Sequence, residues 1–83
     1  MKISAEISYY PLHDEFVDPI RDFIHRLNGH SRLICRTNGM STQVFGEYED
    51  VMGALQSEIK KSFDLPKSVF IIKLVNSDLN VKE

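Results

Sequence analysis

The chain has 83 residues, of which 42% are hydrophobic, and its 10 basic and 12 acidic residues give a formal net charge of -2. That length predicts one domain spanning 1–83, and the mixed charge offers no surface for a phosphate backbone, which argues against nucleic acid as a partner. No apolar run approaches the roughly 20 residues that cross a bilayer, and the first residues lack a signal-peptide core, so we expect a cytoplasmic protein without membrane contact.

The first half of the chain contains one predicted strand and one predicted helix. Apolar and polar residues alternate over 2–10, the period of a half-buried strand, and Pro11 ends it. The apolar spacing then becomes helical over 14–28, where Pro19 is tolerated only near the helix start. Gly29 is typical of the residue that follows a helix.

The second half begins with a predicted hairpin. Its extended segments, 31–37 and 41–45, flank Asn38 and Gly39, a pair that tolerates positive φ and favours a tight reversal. A second helical pattern follows over 47–63, with acidic residues in its first turn and lysines near its end, as the helix dipole favours.

The last predicted strand, 69–75, is apolar on both of its sides, and the polar tail, 77–83, is predicted to fray. The order β-α-β-β-α-β predicts an α+β, ferredoxin-like domain with a four-stranded antiparallel sheet and two helices on one face. One side of the last strand then needs a cover. Either Lys73 keeps that side hydrated, or a second copy packs there, giving a homodimer through the sheet face or edge and possibly a tetramer.

Residues that could carry catalysis or bind a metal are scattered. His13, His25 and His30 show no ligand spacing, and Cys35, the only cysteine, has no basic group identifiably beside it. The glycines do not form a phosphate-binding loop. We therefore predict no enzyme activity, no metal and no cofactor, with a Cys35 or His13 nucleophile as the remaining alternative.

Two stretches are left as candidates for binding. The first is 8–12, where two adjacent tyrosines leave opposite faces of a strand end, so that one enters the core and the other offers its ring to a ligand. The second is 36–42, where polar side chains surround one methionine, although a solvated loop would have the same composition. The candidate ligand-binding residues are Tyr9, Tyr10, Pro11, Thr37, Asn38, Met40, Ser41 and Thr42.

These two stretches resemble the thiamine/hydroxymethylpyrimidine-binding (YkoF-like) family. The resemblance runs through 7–12, the acidic helix start at 14–16, the hairpin at 37–42 and the strand end at 44–46, and so covers most of the chain. It implies a ferredoxin-like fold and a non-catalytic pocket for thiamine or its pyrimidine half. Tyr10 and Pro11 would form the wall at the first strand.

The resemblance to this family also implies that the hairpin residues supply polar contacts to the ligand. The chain holds one repeat where longer members hold two, which implies a homodimer in place of the tandem arrangement. An aminopyrimidine offers an edge of donors and acceptors and a flat face, which amide, hydroxyl and aromatic side chains can match. The alternative is a protein-interaction or regulatory module that uses the open sheet face and binds no small molecule.

Overall fold

A computed structural model describes residues 1–80 of the chain. Its elements, in chain order, are β1 (Lys2–Pro11), α1 (Val17–Asn28), β2 (Ile34–Thr37), β3 (Thr42–Glu47), α2 (Tyr48–Ser62) and β4 (Ser68–Val75). The strands form one antiparallel sheet in the order β2-β3-β1-β4. This arrangement confirms the predicted ferredoxin-like α+β fold.

The core lies between the helices and one face of the sheet. Alternate residues of β1, from Ile3 to Tyr9, are buried on that face, as strand periodicity requires. Phe23 and Leu27 of α1 pack against them, together with Val51 of α2. The other side of the sheet, which carries no helix, is called the open face below.

Strand β4 lies at the edge of the sheet and is poorly covered. It pairs with β1 over its whole length, but its side chains from Ile71 to Val75 remain exposed on both faces. This strand therefore carries apolar side chains on both of its sides, as the sequence predicts. A long apolar edge strand of this kind is prone to pair with another chain.

The hairpin turn differs from the tight reversal expected of Asn38 and Gly39. Neither residue has a positive φ, and the loop spans the four residues 38–41 between the paired Thr37 and Thr42. Asn38 closes this loop because its Oδ1 accepts hydrogen bonds from the main-chain N–H groups of Met40 (2.8 Å) and Ser41 (3.1 Å). The side chain thus provides the reversal that positive φ was expected to provide.

The first part of the tail, 77–80, contacts β1. Ser4 Oγ donates to the Ser77 carbonyl (2.7 Å), and the Leu79 N–H donates to Ser4 Oγ (2.8 Å). These bonds hold residues 77–80 against the open face. The remaining predicted tail residues, 81–83, lie outside the described residues.

Candidate functional site

A cleft of about 450 Å³ opens at the end of β1. It lies between the last residues of β1, helix α1 and the 38–41 loop, and all eight candidate residues line it. The other lining residues are Ile7, Ser8, Leu12, Phe16, Ile20, Phe23, Ile24 and Gly39. The structure therefore brings the two stretches together around one concavity, although they are distant in sequence.

The cleft exists because β1 is longer than its neighbour β3. Pairing between these strands ends at Ile7 and Thr42, whereas β1 continues to Pro11 beside β4. Beyond Ile7, the place of a neighbouring strand is taken by the 38–41 loop. This leaves a gap, which the apolar side chains of Ile20 and Phe23 border from α1.

The two tyrosines have different surroundings. Tyr9 is buried, stacks on Phe70 with ring centroids 4.2 Å apart, and shares a hydrogen bond with Ser68 Oγ (3.0 Å). Tyr10 is opposite Val69 and is half exposed, and strand alternation points its ring to the open face. Tyr10 therefore lines the cleft where the edge of β1 borders it, and its ring does not point to the helix-covered face of the sheet.

Most polar side chains of the hairpin already have partners. The hydroxyls of Thr37 and Thr42 lie 3.0 Å apart and share one hydrogen bond. Asn38 Oδ1 is engaged in closing the loop, which leaves its Nδ2 amide free to donate. The side-chain groups available to a ligand are therefore fewer than the composition suggested.

Ser41 is turned toward the open face. Its Oγ donates to Glu6 Oε2 at 2.9 Å, and Lys73 Nζ lies 3.5 Å from Glu6 Oε1. The hydrogen bond from Ser41, and then the Lys73 charge, hold the pKa of Glu6 below its usual value even though burial opposes this. Glu6 is therefore a carboxylate at neutral pH, on the opposite side of the sheet from the cleft.

Sequence reasoning missed an aromatic ring at the mouth of the cleft. Phe16 was assigned to the apolar stripe of the first helix, but the helix begins at Val17 and Phe16 is its N-terminal cap residue. Its side chain is 54% exposed and borders the cleft. The signal that could have found it is Pro19, which restricts the helix start and so places Phe16 before the first turn.

Among residues 1–80, none that lines the cleft has a charged side chain. The cysteine lies elsewhere, since Cys35 Sγ points to the Leu27 carbonyl at 3.7 Å, and burial raises the pKa of its thiol. A thiol held in its neutral form is a poor nucleophile. What the arrangement offers chemically is apolar surface and a few hydrogen-bonding groups, which suits binding.

A second polar cluster joins the two helices. Glu58, whose side chain is 5% exposed, accepts from Arg26 Nε at 2.9 Å and lies 2.7 Å from His30 Nε2. Arg26 also donates to the Glu58 carbonyl and to Ser62 Oγ. Burial alone would raise the pKa of Glu58, but hydrogen bonds from His30 and Arg26 lower it below the usual value.

The sequence analysis treated His30 as an isolated histidine and did not find this cluster. Arg26 and His30 lie 32 and 28 residues from Glu58 in the chain. To predict this cluster from the sequence, one would have had to place Arg26 and Glu58 on the facing sides of the two helices from their helical spacing. Arg26 on α1, and His30 just after it, bond to Glu58 on α2, so the cluster holds α1 against α2.

None of the helices within residues 1–80 has the length and apolar character needed to cross a membrane. No protein-family model and no curated protein matches the sequence.

Solved structures do resemble the fold. A hypothetical protein of Methanocaldococcus jannascii is 20% identical with a TM-score of 0.80, over 96% of this chain and 84% of that one. A Streptococcus pneumoniae protein is 17% identical with a TM-score of 0.85, over 95% and 90%. A Thermotoga maritima protein, provisionally assigned to thiamine biosynthesis or salvage, is 15% identical with a TM-score of 0.83, over 93% and 85%. At these identities the likeness shows the fold alone.

Proposed function

We propose that this protein binds thiamine or its hydroxymethylpyrimidine moiety without catalysing a reaction. The observation that carries the proposal is that both stretches resembling the thiamine/hydroxymethylpyrimidine-binding family line the same cleft. Its volume, about 450 Å³, falls within the range of small-molecule sites. The eight candidate residues are proposed as its ligand-binding residues.

Two further observations support this proposal. The cleft combines apolar walls with a small number of polar groups, the composition of sites that bind flat heterocycles. A solved structure of the same fold, from Thermotoga maritima, has been provisionally assigned to thiamine biosynthesis or salvage. The lining that residues 1–80 provide is apolar and uncharged, and this chemistry favours binding over catalysis.

Calorimetric titration with hydroxymethylpyrimidine and with thiamine tests the proposal directly. The informative variant is Phe16→Ala, which removes an exposed ring at the mouth of the cleft and should weaken binding by about tenfold, the value of one aromatic contact. The matched control is Phe63→Ala, because Phe63 is 57% exposed but lies outside the cleft lining.

Binding that weakens in Phe16→Ala and persists in Phe63→Ala supports the site. Absence of heat with both ligands, or equal losses in the two variants, would reject the proposal. Both rings are substantially exposed, so neither substitution should prevent folding.

We also propose that the protein acts as a homo-oligomer assembled through β4. Within the described residues, this strand is the last of the sheet, with no strand paired to its outer edge, and it keeps apolar side chains exposed on both faces. Ile71 is 57% exposed on the open face, which also carries the exposed Val69 beside it and, beyond Lys73, the exposed Val75. Sheet-face or edge pairing with a second copy would bury these groups, and a small domain gains stability from such burial.

Sedimentation at micromolar concentration tests the assembly, with Ile71→Glu expected to shift the protein toward the monomer. Leu65→Glu is the control, because Leu65 is a partly exposed apolar residue of the loop before β4. A wild-type protein that sediments as a monomer would contradict the assembly without affecting the binding site.

The second candidate function is a protein-interaction or regulatory module that uses the open face and has no small-molecule ligand. The same exposed surface of β4 favours it. It would be preferred if both titrations fail while the wild-type chain still associates in an Ile71-dependent manner.

A further inference from the structure

The strand edge that borders the cleft carries main-chain groups with a definite direction. In antiparallel pairing, the N–H and C=O of one residue point to the same neighbouring strand, and the direction alternates along the chain. The Leu12 N–H donates to the Lys67 carbonyl (3.0 Å) on the β4 side, and the Met1 carbonyl accepts from the Tyr48 N–H (2.9 Å) on the β3 side. Odd-numbered residues of β1 therefore face β3.

Two odd-numbered residues lie beyond the end of that pairing. The ladder with β3 stops at Ile7, so Tyr9 and Pro11 direct their main-chain groups toward the gap that the 38–41 loop borders. Within residues 1–80, no hydrogen bond joins the main chain of Tyr9 to this loop. Tyr9 thus presents one N–H donor and one C=O acceptor to the cleft, and Pro11 presents only a carbonyl.

Most side chains around this strand edge already have hydrogen-bond partners, so ligand recognition falls largely to the main chain. Thr37 and Thr42 bond to each other, Ser41 bonds to Glu6, and Asn38 keeps only its amide donor free. The Tyr9 side chain is engaged with Phe70 and Ser68 inside the core. The main-chain N–H and C=O of Tyr9 are therefore the polar groups of the cleft that are most available to hydrogen-bond with the polar edge of a ligand.

We infer that the cleft reads its ligand through the main-chain N–H and C=O of Tyr9, and that it takes a neutral, flat heterocycle with an amine beside a ring nitrogen. This inference rests on the proposed function and specifies its ligand. The amine donates to the Tyr9 carbonyl, and the ring nitrogen accepts from the Tyr9 N–H, as a paired residue of a neighbouring strand would.

The uncharged lining adds a condition on the ligand. A permanent positive charge would enter the cleft without a carboxylate to pair with, and an unpaired buried charge is costly. The aminopyrimidine ring should therefore occupy the cleft, while the thiazolium of thiamine should stay outside and add little affinity. Hydroxymethylpyrimidine should bind at least as tightly as thiamine.

Amide hydrogen exchange measured by NMR tests the role of Tyr9 without altering the protein. In the ligand-free chain, the Tyr9 amide should exchange faster than the Ile7 amide, which is paired with Thr42. Hydroxymethylpyrimidine at about 100 times its dissociation constant should slow the Tyr9 amide by up to about a hundredfold, since exchange then proceeds only from the free protein. The Ile7 amide should change much less.

A ligand analogue provides the complementary test. The N,N-dimethyl analogue of hydroxymethylpyrimidine has no amine hydrogen, so it should bind at least about tenfold more weakly because the Tyr9 carbonyl then loses its donor. Binding of hydroxymethylpyrimidine that leaves Tyr9 exchange unchanged, or equal binding of the analogue, would overturn this inference and leave the proposed function intact. Thiamine binding more than about tenfold tighter than hydroxymethylpyrimidine would overturn the neutrality condition. Absence of binding by either ligand rejects the proposed function itself, and this inference with it.

Discussion

The cleft at the end of β1 and the cluster between the helices are both polar sites in a small domain, but they are built differently. In the cluster, Glu58 is buried and its carboxylate oxygens meet Arg26 and His30. In the cleft, residues 1–80 supply no hydrogen-bond partner for the Asn38 amide or for the Tyr9 main chain on the loop side, and they place no charged side chain in the lining.

This difference indicates which site is structural and which is open to a ligand. A buried carboxylate stays buried only when its partners compensate its lost hydration, so the two carboxylate oxygens of Glu58 are committed to Arg26 and His30. Unpartnered donors and acceptors in a concavity have the opposite property, because a ligand can supply the missing bonds. The effects that we expect from this contrast are largest for Glu58 and smallest for the Tyr9 hydroxyl.

Glu58→Gln should lower the free energy of unfolding by about 3 kcal/mol, because it breaks a buried, hydrogen-bonded ion pair and leaves Arg26 without its counter-charge. Urea denaturation measures this loss. Glu49→Gln is the control, because it is the same substitution at an exposed position of the same helix. It should lower the free energy of unfolding very little. Ligand affinity of the folded fraction should be unchanged, and a loss of affinity in Glu58→Gln alone would contradict the separation of the two sites.

Acid should destabilise the protein through the same residue. The pKa of Glu58 in the folded chain is below its ordinary value of 4.5, so its ionised form contributes stability that is fully present above pH 4.5. That contribution is lost as the pH falls through the lower, folded pKa. Unfolding free energies measured from pH 7 to pH 3 should decline less steeply in Glu58→Gln, and parallel curves would refute the assignment.

The Asn38 loop closure can be separated from ligand contact by two substitutions. Asn38→Ala should cost about 1 kcal/mol of stability, because the N–H groups of Met40 and Ser41 lose their acceptor. Asn38→Asp keeps an acceptor oxygen and should retain most of that stability, but it introduces a negative charge at the cleft. Calorimetry should then show thiamine gaining affinity relative to hydroxymethylpyrimidine, and an unchanged ratio would indicate that position 38 does not face the ligand.

The smallest effect is expected at the Tyr9 hydroxyl. Tyr9→Phe removes the hydrogen bond to Ser68 and should lower stability by roughly 0.5–1 kcal/mol in thermal or urea unfolding. Ligand affinity should be unchanged, because Tyr9 is proposed to act through its main chain. Tyr48→Phe is the matched control and should change neither quantity, since its ring is 45% exposed and lies outside the cleft lining. A large loss of affinity in Tyr9→Phe would show that the hydroxyl contacts the ligand.

Much of this site was predictable because its pieces are local. Asn38 and the short polar residues beside it are typical of a turn, and adjacent tyrosines at a strand end must leave opposite faces. Phe16 was not assigned to the site because a helical apolar stripe and a residue just before the helix look the same in sequence. The Glu58 cluster was missed because its residues meet only when two helices pack side by side.

Hydrophobic period, turn residues and helix-end charges are properties of short segments, and they were sufficient to determine six elements, their order and therefore the ferredoxin-like fold. The tertiary structure decided which polar groups were already satisfied. It set the Thr37 hydroxyl against Thr42, turned Ser41 toward Glu6 and ended the β3 ladder two residues short of Tyr9. Strand register and strand length fix those partnerships, and they depend on neighbours that are distant in the chain.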